Sequence, residues 1–209
     1  MRKVLVLFSA GVESSCLLVH YLRKGFLVYP VYVRAGLPWE EVEREYALRF
    51  WTAVRGKHRN LFPVRTVFVK GGGTLRGVPL EDPQIEIPLR NMSLLVQTSL
   101  LAHSKGVDSI AVGSLGIYPF PDNSREYFDR LQDLISRGLR RDVRIETPFM
   151  GMEKWEVVRR FRDLVPFSLT FSCASPSGRN HCGICVKCRE RKEGFRRAGV
   201  KDPTLYRTS

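Results

Sequence analysis

The chain has 209 residues, 44% of them hydrophobic and 26% charged, ordinary proportions for a soluble globular protein with room for one well-buried α/β domain. No apolar run approaches the roughly 18 residues of a membrane span, and the first run, VLVLFSAGV, breaks too early at Ser9 and Gly11 for a secretory core, so a cytoplasmic protein without a membrane association is expected. Lysine plus arginine total 34 against 21 acidic residues, a net charge of +13 that suits phosphate-rich ligands or nucleic acid, although the basic residues are dispersed in pairs and form no RNA-binding module.

Short apolar runs alternate with amphipathic stretches from the start of the chain. Residues 3–8 read as a buried strand, 13–22 as a helix, 27–33 as a strand, 39–54 as a helix and 64–69 as a third strand. A polar, glycine-rich connection, GGGTLRGVPLEDP, reads as a loop. Then come a helix at 92–103, a strand at 108–112, a helix at 124–138, a strand at 143–146 and a helix at 154–161. Strands alternating with helices predict an α/β fold with a parallel sheet covered on both faces, and ligands in such sheets sit beyond the C-terminal strand ends. A boundary is expected near Pro166, ahead of a cysteine-bearing arm.

The first strand runs into Phe8, Ser9, Ala10, Gly11, Val12, Glu13, Ser14 and Ser15. Small residues there expose backbone amides at the positive end of a helix, a ready anion site. An ordinary capped helix with Glu13 in its first turn explains the same residues. The run is neither a Walker A loop nor a G-x-G-x-x-G dinucleotide loop.

Near the C-terminus, Cys173, Cys182, Cys185 and Cys188 are spaced C-x8-C-x2-C-x2-C. Two overlapping C-x2-C steps with a fourth thiol from a loop suit a four-thiolate structural zinc shell, which leaves no open position for chemistry. Disulfides or unrelated buried thiols are the alternatives. Cys16, within a helix, reads as a small buried residue. Histidines 20, 58, 103 and 181 are scattered; His103 reads as structural and His181, beside Cys182, as an outer donor to a thiolate. The paired Glu40 and Glu41 read as helix surface.

The run S-A-G-V-E-S resembles the S-G-G-x-D-S loop of PP-loop ATP pyrophosphatases, with Ala10 in place of a glycine and Glu13 in place of an aspartate. IPLRN at 87–91, TPFMGMEKWEVV and TFSC…HCGICVKCRERKEGFRRAGVKDPT resemble elements of the QueC family of 7-cyano-7-deazaguanine synthases, and the likeness runs over essentially the whole chain. That resemblance implies an adenine nucleotide alpha hydrolase-like, Rossmann-like PP-loop domain at 1–165 and a zinc-binding C-terminal arm and helix at 166–209. It implies ATP, magnesium and zinc as cofactors, a small-molecule carboxylate and ammonia as reactants, and a homodimer. The ATP site would comprise residues 8–15 with Arg90 and Lys154 as phosphate-facing cations, although a surface turn and a solvated helix lysine are their readings without the family. Asp122 would recognise the substrate, with Glu126 next. The segment from Gly113 to Phe128 departs from the family: an N-x-x-D-Y element is absent and a cysteine and an arginine become Asn123 and Ser124, so that Arg125 is expected to stand in for the lost cation. The second strand also ends differently, in YVRAGLPWEEVE. The expected activity is ATP-dependent C–N ligation on 7-carboxy-7-deazaguanine or a related carboxylate in queuosine-type biosynthesis. A PP-loop enzyme that modifies tRNA and a zinc-stabilised nucleotide-binding regulator are the alternatives, nucleic acid being the less favoured partner.

Overall fold

Alternation along the first strand sets the architecture. In the computed structural model, which describes residues 1–69, 87–118 and 120–207, Val4 and Val6 point into one helical layer while Leu5 and Leu7 point into the other, as period-2 side-chain geometry requires. In chain order the elements are β1 (Lys3–Leu7), α1 (Val12–Arg23), β2 (Leu27–Arg34), α2 (Glu40–Arg55), β3 (Arg65–Phe68), α3 (Arg90–Ser104), β4 (Ser109–Ala111), α4 (Arg125–Leu139), β5 (Arg144–Glu146), α5 (Lys154–Phe161) and α6 (Val186–Ala198). The sheet order is β3-β2-β1-β4-β5 and every pairing is parallel. The winding direction therefore reverses between β1 and β4, the place where ligand crevices open in sheets of this kind.

Helices α1, α2, α5 and α6 share one core layer with Val4, Val6 and Phe8, whereas α3 and α4 cover the other face through Leu95, Ala102, Phe128, Leu131 and Ile135. The parallel α/β fold read from the sequence is the one observed, and α5 begins and ends at the expected residues. The other elements shift by a few residues, because helix ends are decided by local caps: Ser124 accepts from Tyr127 N at 3.1 Å and so stands outside α4. The glycine-rich stretch at 71–83 lies outside the described residues. Among the described residues no helix is long and apolar enough to cross a membrane.

The C-terminal arm docks on this frame. Phe195 and Ala198 of α6 are buried in the same layer as Val157, Val158 and Phe161 of α5. Arg191, fully buried, donates to Asp202 at 3.2 Å, to Thr170 Oγ1 at 2.7 Å and to the Phe167 carbonyl at 3.0 Å, tying α6 to the segment before it and the tail after it. A buried guanidinium is tolerated because its donors are satisfied in this way.

Candidate functional site

A cavity of about 330 Å³ opens at the C-terminal ends of β1, β2 and β4. The loop after β1 forms its floor. Ser9 Oγ accepts from Gly11 N at 3.3 Å, and Ser14 Oγ accepts from Ser9 N at 3.3 Å while donating to the Gly11 carbonyl at 3.2 Å. Two hydroxyls and the backbone thus hold one another at the start of α1, where helix geometry favours an anion. Phe8, Ser9, Gly11, Glu13 and Ser14 line the cavity. Ala10, Val12 and Ser15 do not line it; all three are fully buried beneath the loop. Ala10 holds a left-handed φ of 58°, the conformation that the glycine of the resembling motif reaches without strain.

Lys154, the first residue of α5, points its Nζ to Glu13 Oε1 at 3.2 Å and Glu190 Oε2 at 3.5 Å, with side chains only 13%, 19% and 32% exposed. Burial works against the Lys154 charge, and Glu13, Tyr118 and Glu190 outweigh it, so the ammonium is held well above its usual range. A capping box between Glu153 and Glu156 fixes where α5 starts and hence where Lys154 projects. Tyr118 donates to Glu190 at 3.2 Å, and burial pushes its hydroxyl up to about 12. Gly113, at the end of β4, packs against the start of α1: a Cβ there would meet the Glu13 carbonyl carbon at 3.1 Å.

Arg90 and Asn91, at the start of α3, also line the cavity. Asp122 does not. Its Oδ2 accepts from Asn91 N at 2.8 Å and its Oδ1 from Asn91 Nδ2 at 3.2 Å, while Asn91 Nδ2 also reaches the Asp122 carbonyl at 3.0 Å. This carboxylate is buried and serves the α3 N-terminus, so the structure places it as a support for Asn91 and not as a group facing a ligand. Arg125 and Glu126, the other expected substrate residues, also lie off the cavity. Arg125 donates to the Ile145 carbonyl at 3.1 Å and Thr147 Oγ1 at 3.0 Å and pairs with Asp129 at 2.5 Å; Glu126 pairs with Arg130 at 2.6 Å on the outer face of α4. The cause is the phase of α4, whose buried stripe is Phe128, Leu131 and Ile135.

Other side chains complete the cavity, among them Asn123 from the altered segment and two residues, Glu43 and Lys187, that the sequence does not single out. Asn123, fixed by Ser114 and by the Tyr118 carbonyl, lines one wall. Glu43 of α2 and Lys187 of α6 line another. Tyr32 Oη donates to Glu43 Oε2 at 2.9 Å; burial raises the Glu43 carboxyl, with Lys187 and the Tyr32 hydroxyl pulling it down. Glu40, expected on the surface, is buried and accepts from the Ala35 amide and from Arg34 Nε at 3.5 Å, closing the turn after β2; Glu41 remains exposed. The spacing of Lys187 and Glu190, one turn apart on a helix, was the available signal, but only the docking of α6 reveals which way that face points.

The four expected cysteines bring their sulfurs within 4.8 Å of one another, with Cys182 to Cys188 and Cys173 to Cys185 at 3.9 Å. A disulfide needs about 2.05 Å, whereas a tetrahedron of thiolates about 2.3 Å from one ion has edges near 3.8 Å. The amides of Cys182, Cys185 and Ala174 each point at a sulfur at 3.4 Å, an arrangement that stabilises thiolate. This donor set fits a single metal ion. His181 is not a donor to a sulfur: its Nε2 accepts from Ser172 N at 2.9 Å. Cys185 is also the N-cap of α6, so the helix begins inside the cluster at Val186.

The family model described as queuosine biosynthesis protein QueC matches residues 3–199. A protein from Methanospirillum hungatei named 7-cyano-7-deazaguanine synthase is 32% identical over 98% of this chain and 100% of its own length. One from Methanoculleus marisnigri with the same name is 31% identical over 99% of each chain. Among solved structures, the predicted subunit of tRNA methyltransferase from Methanocaldococcus jannaschii superimposes with a TM-score of 0.51 at 18% identity, covering 77% of this chain and 74% of that one, a likeness of fold alone.

Proposed function

Because the chain belongs to the QueC family of queuosine biosynthesis proteins, we propose that it is an ATP-dependent C–N ligase of the 7-cyano-7-deazaguanine synthase type. The observation that carries this reading is the junction of the Ser9-Gly11-Ser14 loop with the Glu13-Lys154-Glu190 charge cluster at one end of a single cavity. Loop amides and hydroxyls suit the phosphates of ATP, and Lys154 is a desolvated cation beside them. Arg90, on the cavity wall, is a second phosphate-facing cation.

In the proposed reaction the carboxylate oxygen of 7-carboxy-7-deazaguanine attacks the α-phosphorus of ATP and pyrophosphate leaves. Ammonia then adds to the acyl carbon, AMP departs and a proton is released, giving the amide. A second ATP activates the amide oxygen in the same way, and loss of AMP with two protons gives the nitrile. The chain's part is mainly positional. Ser9, Ser14 and the Gly11 amide exchange their mutual hydrogen bonds for phosphate oxygens. Lys154 balances charge on the leaving pyrophosphate. Glu13, whose carboxylate faces the same space, is the residue suited to hold magnesium, which when bound supplies charge neutralisation across the phosphates. Zinc at Cys173, Cys182, Cys185 and Cys188 is a structural clip for the arm, and the division at 165/166 separates that arm from the nucleotide-binding part. A cytoplasmic homodimer belongs to the same reading.

Purified protein given ATP, magnesium, ammonium and 7-carboxy-7-deazaguanine is expected to yield the amide or nitrile, read by mass, with AMP and pyrophosphate released only when the acid is present. No product from the acid would defeat the reading. The net charge of +13 supports a second one, a PP-loop enzyme acting on tRNA; tight filter binding of tRNA at near-physiological salt would favour it.

A further inference from the structure

The cavity carries a second set of charges that the phosphate end leaves unused. Around Lys154 the account is acidic, one ammonium between the carboxylates of Glu13 and Glu190. Elsewhere on the cavity lining, Lys187 and Glu43 add one cation and one carboxylate. Lys187 stands with its Nζ 4.9 Å over the Trp39 ring and makes no ion pair among the described residues. Among the described residues Glu43 receives one side-chain hydrogen bond, from Tyr32 to Oε2, which leaves its other oxygen to donors in the cavity. Trp39 and Tyr32, both 1% exposed, fix these two charges from behind.

A partly desolvated wall with one cation and one carboxylate favours a ligand that brings an anion and an N–H donor together. The phosphate end differs in kind, since it offers backbone donors and hydroxyls and its Lys154 is already paired with Glu13 and Glu190.

We propose that Glu43 and Lys187 form the acceptor subsite, Lys187 meeting the carboxylate of the acid to be activated and Glu43 the N–H edge of its ring. This rests on the ligase reading above and adds the residues that choose the acid. Lys187, at the second position of α6, and Glu43, on the first turn of α2, come from the two segments that flank the altered turn after β2 and the cysteine cluster. The subsite uses a point charge, which suits a carboxylate that must turn toward phosphorus, where the two-pronged grip of an arginine would hold both oxygens.

Calorimetry on the metal-loaded protein tests this with three probes: 7-carboxy-7-deazaguanine, its 7-carboxamide and ATP. Lys187→Met is expected to weaken the acid at least tenfold while leaving the amide and ATP within twofold, and Lys187→Arg to recover most of the loss. Glu43→Gln is expected to weaken acid and amide alike by at least tenfold. Metal content and Tm equal to the wild type's show that each variant is folded. Should wild type turn over the acid and both variants bind it unchanged, the subsite is wrong and the ligase reading stands. Loss of ATP binding in Lys187→Met makes that lysine a phosphate contact and overturns the proposal. If wild type binds ATP but neither binds nor converts the acid, the ligase reading falls and the subsite with it.

Discussion

Helix α6 passes Lys154 at Gly194, so closely that a methyl group there would stand 2.9 Å from Lys154 Cγ and 3.0 Å from its Cδ. The glycine is what lets the lysine stem lie flat against α6 and reach Glu13 and Glu190. For Gly194→Ala two stability terms oppose each other. Alanine is better than glycine in a helix interior by about 1 kcal/mol, and forcing Lys154 off its rotamer costs about 0.5–1.5 kcal/mol. The Tm is therefore expected to move by less than about 4 °C for a chain of this size. Activity is expected to fall about 10- to 100-fold, because displacing a charge by about 1 Å in a positioned site is costly. Pyrophosphate release measured beside a thermal melt separates the two; unchanged turnover would show that Lys154 need not hold this place.

Ala10 tests the loop between β1 and α1 from inside the core. Its φ is 58°, its side chain is fully buried and its carbonyl accepts from Phe171 N at 2.8 Å. Ala10→Gly relieves about 1–2 kcal/mol of left-handed strain, offset by about 0.4–1 kcal/mol of chain entropy and about 0.8 kcal/mol of lost methyl burial. The expected result is near neutrality. Ala10→Val places a β-branched residue at positive φ with no space for it, and is expected to cost at least about 2 kcal/mol. Urea unfolding of both variants provides the check, and a well-tolerated valine would mean that the loop has another conformation.

The loop between β1 and α1 and the clustering of the four cysteines are legible because each is set by contiguous chemistry: small residues between a strand and a helix, and thiols at fixed short spacings. Asp122 misled because a carboxylate near a strand end has the same sequence appearance whether it meets a ligand or caps a helix, and here Asn91 takes both of its oxygens. Arg125 and Glu126 depended on the rotational phase of α4, which Phe128 and Leu131 decide by burial. Glu43, Lys187 and Glu190 could not be grouped in advance, since they meet only once α6 has packed on α5 and the cysteine-bearing arm has brought its start to the cavity. Strand and helix order were carried by periodicity, a local property; the far wall of the cavity is a tertiary product.

His20 gives a pH dependence remote from the cavity. Its ring packs edge-on against Phe149 and Phe161, its Nε2 is buried with no partner among the described residues, and burial with the nearby Lys24 and Arg160 charges lowers its pKa to about 4. The unfolded value is about 6.5. Between those values the unfolded chain binds the extra proton, so the contribution is fully present above about pH 6.5 and is lost as pH falls toward 4. Wild type is expected to lose Tm steadily from pH 7 to pH 5, and His20→Gln to show a shallower slope. Equal slopes would assign the acid sensitivity elsewhere.

Removal of the metal should act on the cavity through α6. Cys185 caps that helix and Cys188 lies in its first turn, while Lys187 and Glu190 project from the same turns into the cavity. An ion bound by the four neighbouring thiols would hold them together, and binding free energy at such a site is folding free energy. Because Phe195, Ala198 and the Arg191 network still anchor the far end of α6, the expected result is loosening of 173–190 and not global unfolding. Zinc should measure one per chain, and a strong chelator should lower Tm by about 5–10 °C, the equivalent of about 2–3 kcal/mol for this size. Amide exchange should quicken in 173–190 while β1 and α1 stay protected, and ATP affinity should fall together with the loss of the Glu190 contact to Lys154. A chelated protein with unchanged exchange in that segment would show that the cysteine shell does not set the position of α6.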